Sequence, residues 1–216
     1  ESATGKTRMQ TLWQTRKVDL QAALARMAAL CAWKDVDSLV EAARDGLRRD
    51  FPERDFAPAD IFLEVLKRAG VKLGFDPEAS VIPPPHDELI LRLAGATVGR
   101  FDVEVADQTW DLPPGVSAED LYKDENEESL SESSYVVEFL YDGRFVTFRA
   151  SYRRDWYDVE AVMAAFNEAL RASGRAERFH YLNLDQDSDY VLLSPEAARV
   201  AREEFFLPVE GTSRVR

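Results

Sequence analysis

The chain has 216 residues, of which 45% are hydrophobic and 31% charged, with a formal net charge of −13 at pH 7. This composition is typical of a globular protein with a real core and excludes wholesale disorder. No apolar run approaches the roughly 18 residues of a membrane-spanning segment, and the negative charge disfavours direct binding to nucleic acid or anionic lipid.

Residues 1–75 are predicted to form a small helical bundle. Apolar side chains recur there with the spacing of one helix face, and prolines and glycines separate the segments. The three predicted helices lie near residues 8–34, 36–51 and 58–69.

Residues 76–86 are predicted to be a linker, because Pro83-Pro84-Pro85 is a stiff extended spacer that cannot continue a helix. An acidic α+β domain is expected over 87–207, followed by a loose tail over 208–216. In this domain Leu89–Ala94 and Phe101–Ala106 alternate like strands. The predicted order is β-β, acidic loop, β-β-α-β-β-α, which makes the fold class α+β: an N-terminal helical bundle followed by an antiparallel sheet with two covering helices.

Asp142-Gly143 is the clearest local signal in the sequence. This dipeptide favours a two-residue turn, which fixes the register of the strands on either side of it. Tyr141 is therefore expected opposite Arg144, and the same register places mainly apolar residues on one face of the hairpin. The further predicted pairs are Phe139 with Val146, Val137 with Phe148, and Tyr135 with Ala150.

The last third of the chain predicts two helices around a strand pair. Asp158 is a suitable N-cap for a helix that Gly174 ends, and Pro195 is a suitable first residue for the last helix. The strands between them are expected over 179–184 and 190–193.

Two short motifs suggest ligand sites only weakly. Gly5-Lys6-Thr7 resembles the end of a phosphate-binding loop, but no strand precedes it, so a disordered N-terminus is expected there. A calcium-like spacing of carboxylates has Tyr190 where the loop needs glycine, so it is a weak metal candidate. Its residues are Asp185, Asp187, Asp189 and Glu196. No cofactor is expected.

The remaining conspicuous feature is an acidic stretch. Residues 119–132 hold seven acids against one lysine, and apolar residues including Trp110 lie around it. Carboxylates that steer a partner and aromatic side chains that anchor it are what a surface for a basic protein needs. The alternative is a solvated loop with Trp110 packed into its own sheet. The candidate partner-binding residues are Trp110, Asp120, Tyr122, Asp124, Glu125, Glu127 and Glu128.

Several short landmarks lie between Tyr141 and Glu204. They are Asp142-Gly143-Arg144, Asp155-Trp156-Tyr157-Asp158-Val159, Phe166-Asn167, Arg178-Phe179 and Leu192-Leu193-Ser194-Pro195-Glu196. Together they resemble bacterial immunity proteins, which neutralise polymorphic or contact-dependent toxins. The resemblance implies an acidic, cytoplasmic, non-enzymatic inhibitor that plugs the active site of a toxin.

The leading functional expectation is therefore a toxin-neutralising protein that binds a basic partner, such as a nuclease, through an acidic surface. A cytoplasmic location agrees with the single cysteine, Cys31, and with the lack of an apolar signal core in residues 1–20. Two alternatives stay open: an enzyme of unknown reaction class with a site between the two domains, and an adaptor subunit of a larger assembly. The partner's identity and the oligomeric state are left open.

Overall fold

The fold is that of a computed structural model, which describes residues 4–122, 133–184 and 188–210. The chain divides into two compact units, one made of Glu1–Gly74 with Ala176–Arg216 and the other of Phe75–Arg175. The described residues form seven α-helices and two three-stranded sheets. The predicted α+β class with N-terminal helices is therefore confirmed.

The elements are numbered here in chain order, and a short 3-10 helix over Ala118–Tyr122 lies between two of the strands. They are α1 (Gly5–Thr15), α2 (Leu20–Cys31), α3 (Val36–Asp50), α4 (Pro58–Arg68), β1 (Lys72–Phe75), α5 (His86–Ala96), β2 (Val103–Asp111), β3 (Ser134–Tyr141), β4 (Arg144–Ser151), α6 (Val159–Ala172), β5 (Arg178–Tyr181), β6 (Ser188–Leu193) and α7 (Pro195–Glu203). Among the described helices, none is both long and apolar enough to cross a membrane.

The first predicted helix is in fact two helices. Between α1 and α2 the backbone of Lys17 turns into the left-handed region with φ of 52°, so the helix cannot run on. Asp19 then caps α2, because its carboxylate accepts a hydrogen bond of 2.7 Å from the backbone N–H of Ala22. α3 ends at Asp50 and α4 at Arg68, each one residue before the end predicted for that helix.

The prediction of a disordered N-terminus at Gly5-Lys6-Thr7 is wrong. These residues form the first turn of α1, and the backbone N–H of Lys6 donates to the carbonyl of Leu184 at 3.0 Å. A Cβ atom on Gly5 would collide with the carbonyl oxygen of Asn183. Only glycine permits this close approach, which fixes the start of α1 against the chain after β5.

The core of the first unit combines its helices with the sheet ordered β1-β6-β5. The indole N–H of Trp13 donates to the carbonyl of Phe205 at 2.7 Å, which ties α1 to the chain after α7. Strands β5 and β6 form the predicted antiparallel pair. The buried residues of this core include Met9, Trp13, Leu24, Met27, Phe62, Leu66, Val191, Leu193, Val200 and Phe205.

The division into units differs from the predicted domains. The first unit ends at Gly74 and resumes at Ala176, so β5, β6 and α7 belong to it, whereas the sequence suggested a continuous domain over 87–207. The reason is that β6 lies between β1 and β5, with the N–H of Leu192 bonded to the carbonyl of Val71 at 2.8 Å. The predicted tail is also packed at its start, where Val209 is 6% exposed and bridges to Leu182.

The second unit contains the sheet ordered β2-β3-β4. Its β3–β4 hairpin turns at Asp142-Gly143, and all four predicted cross-strand pairs are confirmed. On one face of β3 the side chains of Tyr135, Val137 and Phe139 are fully buried. This covered face packs on α5 through His86, whose ring lies 4.7 Å from that of Tyr135, and on α6 through Phe166, 5.6 Å from Phe139.

The predicted strand over Leu89–Ala94 is wrong, because this segment lies in α5. The alternation of Leu89, Leu91 and Leu93 with Ile90 and Ala94 is part of an almost continuous apolar run, which strand and helix periods fit equally well. In the helix, Leu89, Ile90 and Leu93 are buried while Leu91 is 42% exposed. The covering helices of this sheet are therefore α5 and α6, and α7 belongs to the other unit.

Candidate functional site

The second unit presents one sheet face whose side chains are exposed or half-buried, and we call it the open face. It is the reverse of the covered face that packs on α5 and α6. Strand alternation assigns its residues, since neighbouring side chains point to opposite sides of a sheet. They are Val105, Asp107, Thr109 and Asp111 of β2, Val136, Glu138 and Leu140 of β3, and Phe145, Thr147 and Arg149 of β4.

An apolar row crosses the open face near the hairpin turn. Val105 pairs with Leu140, and Leu140 pairs with Phe145, so the three side chains are direct neighbours across three strands. Phe145 is 70% exposed and Val105 46%. Leu140 between them is half-buried, so the row is a small apolar patch with exposed side chains at both ends.

Two carboxylates lie beside this apolar row. Asp107 pairs with Glu138 in the register of β2 and β3, two residues along each strand from the row. Glu138 is exposed, and its carboxylate accepts a hydrogen bond of 2.7 Å from the hydroxyl of Thr147. Within the described residues the side chain of Asp107 forms no hydrogen bond or ion pair, which leaves its carboxylate available to a partner.

Farther along the open face the charges are paired. Arg149 forms an ion pair with Asp111 and also reaches the hydroxyl of Ser134 at 3.4 Å. Both charged side chains are largely solvated, so the pair adds little stability. The excess negative charge of the open face is therefore concentrated beside the apolar row.

Trp110, the predicted aromatic anchor, does not lie on the open face. Its ring packs on the covered side, with centroids 4.3 Å from Tyr135 and 6.2 Å from Tyr152, and it is half-buried. Sequence reasoning considered this packing as the alternative. The signal for the true exposed aromatic was present in the hairpin register, which places Phe145 on the same face as Glu138 and Thr147.

The predicted acidic residues are only partly described. The Asp120 carboxylate accepts hydrogen bonds from the backbone N–H and the hydroxyl of Ser117, at 2.8 and 2.7 Å, and so closes the turn that begins the 3-10 helix. Tyr122 ends that helix. The other four candidates lie outside the described residues: Asp124, Glu125, Glu127 and Glu128.

The weak metal candidates are not brought together by the part of the chain that the structure describes. Asp189 is buried and forms an ion pair with Lys72, and a bound ammonium competes with any cation for the same carboxylate. Glu196 lies in the first turn of α7. Asp185 and Asp187 lie outside the described residues, and within the described ranges no three His, Cys, Asp or Glu side chains cluster to hold a metal ion.

His86 is fully buried and joins three segments of the second unit. Its Nε2 accepts a hydrogen bond of 3.0 Å from the backbone N–H of Asp158, so the ring proton is on Nδ1. Nδ1 lies 3.1 Å from both the Pro84 carbonyl and the Gln108 side-chain oxygen. Burial is the main cause that lowers the pKa of His86, against the opposite effect of these hydrogen bonds and of the Asp158 and Asp87 charges.

The pKa of His180 in β5 is also lowered. Burial lowers its pKa, the hydrogen bond to the backbone of Leu193 raises it, and the charges of Arg202 and Arg178 lower it further. Both histidines are thus structural groups that favour the neutral ring.

These two histidines predict how stability depends on pH. In the unfolded chain each titrates near the ordinary pKa of 6.5, whereas in the folded chain the pKa is lower. Below about pH 6.5 the unfolded state therefore binds more protons than the folded state. We expect the free energy of unfolding to decrease as the pH is lowered from 6.5. Urea unfolding at pH 7.5, 6.5 and 5.5 measures how steeply this free energy depends on pH. The slope should be smaller in His86→Gln and in His180→Gln, and an unchanged slope in the double variant would contradict the assignment.

Comparison of the chain with protein-family models, with curated proteins and with solved structures found no match. Function is therefore inferred from the chemistry of the described residues. The landmarks on which the expected resemblance to immunity proteins depends are divided between the two units. Those up to Asn167 lie in the second unit, and those from Arg178 lie in the first.

Proposed function

We propose that this protein is a non-enzymatic inhibitor of the bacterial immunity type, which binds a basic protein through the open face of its second unit. The partner would be a toxin such as a nuclease, bound in the bacterial cytoplasm, and binding would cover its active site. The observation that carries the proposal is the exposed Val105–Leu140–Phe145 row beside Asp107 and Glu138.

The distribution of charge supports a basic partner. The unit Phe75–Arg175 holds 21 Asp and Glu against nine Lys and Arg, a net charge of −12, whereas the remainder holds 19 against 18. Nearly all the negative charge of the chain thus belongs to the unit with the open face. Such a field speeds the encounter with a cationic protein and repels anionic substrates that compete for it.

The apolar row supplies what charge alone does not. Stable interfaces have a desolvated centre in which a few large side chains, often aromatic, contribute most of the binding free energy, surrounded by a polar rim. Phe145 provides such a centre, and Asp107 and Glu138 provide the start of the rim. The acidic residues 119–132 connect β2 to β3 along the chain, so they belong to the same unit and add to its charge.

The proposal predicts that charge controls association and that Phe145 controls dissociation. The chain is used as bait in a low-salt lysate of the cell that produces it. Surface plasmon resonance then measures the association and dissociation rates of the captured partner. Replacing Asp124 with Asn and Glu125, Glu127 and Glu128 with Gln should slow association about tenfold at low salt. Phe145→Ala should speed dissociation by about tenfold or more with little change in association.

Matched variants in the first unit serve as controls. Neutralising Glu41, Asp45, Asp50 and Glu53 together removes the same charge from the other unit, and Phe51→Ala removes a ring that is 51% exposed there. Both should leave the rates nearly unchanged. A captured partner whose activity is unaffected by a stoichiometric amount of the chain, or whose association does not depend on salt, would contradict the proposal.

A further inference from the structure

The first unit contains a cleft that the proposed function does not use. It has a volume of about 230 Å³ and lies between α3 and the segment that leads into α4. On α3, Arg44, Leu47 and Arg48 have the i, i+3, i+4 spacing that places side chains on one helix face. Arg54 and Phe56 line the opposite side, and we call this site the arginine cleft.

The guanidinium groups of the arginine cleft are not engaged in strong pairs. Within the described residues the guanidinium of Arg44 forms no hydrogen bond or ion pair, and that of Arg54 lies over the ring of Phe56, 5.9 Å from its centroid. Arg48 lies 4.0 Å from Asp45, but both side chains are more than 60% exposed, so this pair is weak. Asp55 also lines the cleft, which leaves three guanidiniums against one lining carboxylate.

The floor of the arginine cleft is apolar. Leu47, Phe56 and Ile61 line it and are half-buried, and the ring centroids of Phe56 and Phe51 are 6.4 Å apart. A simple inorganic anion would leave this floor in contact with water. A ligand with both an anionic group and a small apolar part would use the rim and the floor together.

The chemistry of the rim favours phosphate as the anionic group. Guanidinium forms paired, charge-assisted hydrogen bonds with phosphate oxygens, and a dianion suits a rim of three cations better than a single carboxylate does. The volume is below the roughly 300–1,000 Å³ of ordinary ligand pockets, so the organic part must be small. We propose that the arginine cleft binds a phosphomonoester carried on a small aromatic or apolar group.

Phenyl phosphate is a suitable probe for the full chain. In an NMR titration of backbone amides, we expect shifts confined to residues near the arginine cleft and a dissociation constant about tenfold lower than that of inorganic phosphate. The double variant Arg44→Gln, Arg54→Gln should weaken phenyl phosphate binding at least tenfold. Arg26→Gln, an exposed arginine of α2, is the matched control and should bind as the unchanged chain does.

Two further arms sharpen the test. Arg44→Lys with Arg54→Lys keeps the charge but loses the forked geometry, so it should also bind phenyl phosphate more weakly. A tyrosine phosphopeptide that binds more tightly than phenyl phosphate would identify a phosphorylated side chain as the source of the group, and equal binding would identify a free phosphomonoester. Equal affinity for phenyl phosphate and inorganic phosphate, shifts elsewhere in the chain, or undiminished binding by the glutamine variant would overturn the proposal.

Discussion

Replacing Lys72 with methionine is expected to lower the free energy of unfolding by about 3–5 kcal/mol. Lys72 in β1 and Asp189 in β6 form an ion pair whose side chains are only 14% and 8% exposed. Removing the ammonium would leave the Asp189 carboxylate buried without its cation, and desolvation of that charge dominates the cost. Urea unfolding followed by circular dichroism measures the change.

A double variant distinguishes the cost of leaving a charge buried and unpaired from the cost of losing the contact itself. In the double variant Lys72→Met, Asp189→Leu, both charges are gone, so most of the lost stability should return. Arg199→Met serves as the exposed control, because its pair with Glu203 is about half exposed and should cost less than about 1 kcal/mol. If Lys72→Met costs no more than Arg199→Met, the pair does not hold β1 to β6.

This ion pair also illustrates where sequence reasoning stops. Lys72 and Asp189 are 117 positions apart, and no local pattern relates them. By contrast, Asp142-Gly143 fixed every pair of its hairpin, because the turn and the strands it joins are within a few residues of each other. The predicted cap at Asp158 and the predicted helix start at Pro195 depended on equally local signals. The discontinuous first unit was not readable from the sequence, because β6 pairs with β1 from the far end of the chain.

The candidate site also combines local features that the sequence predicts with a strand pairing that it does not. The acidic character of the region was readable from composition, and the hairpin register already placed Phe145 opposite to the buried face. The pairing of β2 with β3 was not readable, because the stretch between them carries no register signal. Without that pairing the row formed by Val105, Leu140 and Phe145 could not be seen, and Trp110 was the natural aromatic to choose.

Replacing Phe166 with alanine is expected to lower the free energy of unfolding by about 3–5 kcal/mol. Phe166 of α6 is fully buried, with ring centroids 4.5 Å from Phe101 and 5.6 Å from Phe139. The truncation would open a cavity among these rings, and it would also remove their edge and face contacts. Phe166→Leu keeps most of the volume and should cost less than about 1.5 kcal/mol.

Phe145→Ala completes this comparison. It removes an equal ring from the open face, which is the reverse side of the sheet on which Phe166 packs. Phe145 is 70% exposed, so its loss should change the free energy of unfolding by no more than about 0.5 kcal/mol. Such a result would leave the Phe145 ring available for contact with another molecule, which is the role proposed for the open face. If urea unfolding shows that Phe145→Ala destabilises the chain as much as Phe166→Ala does, Phe145 is a core residue and the open face loses its anchor.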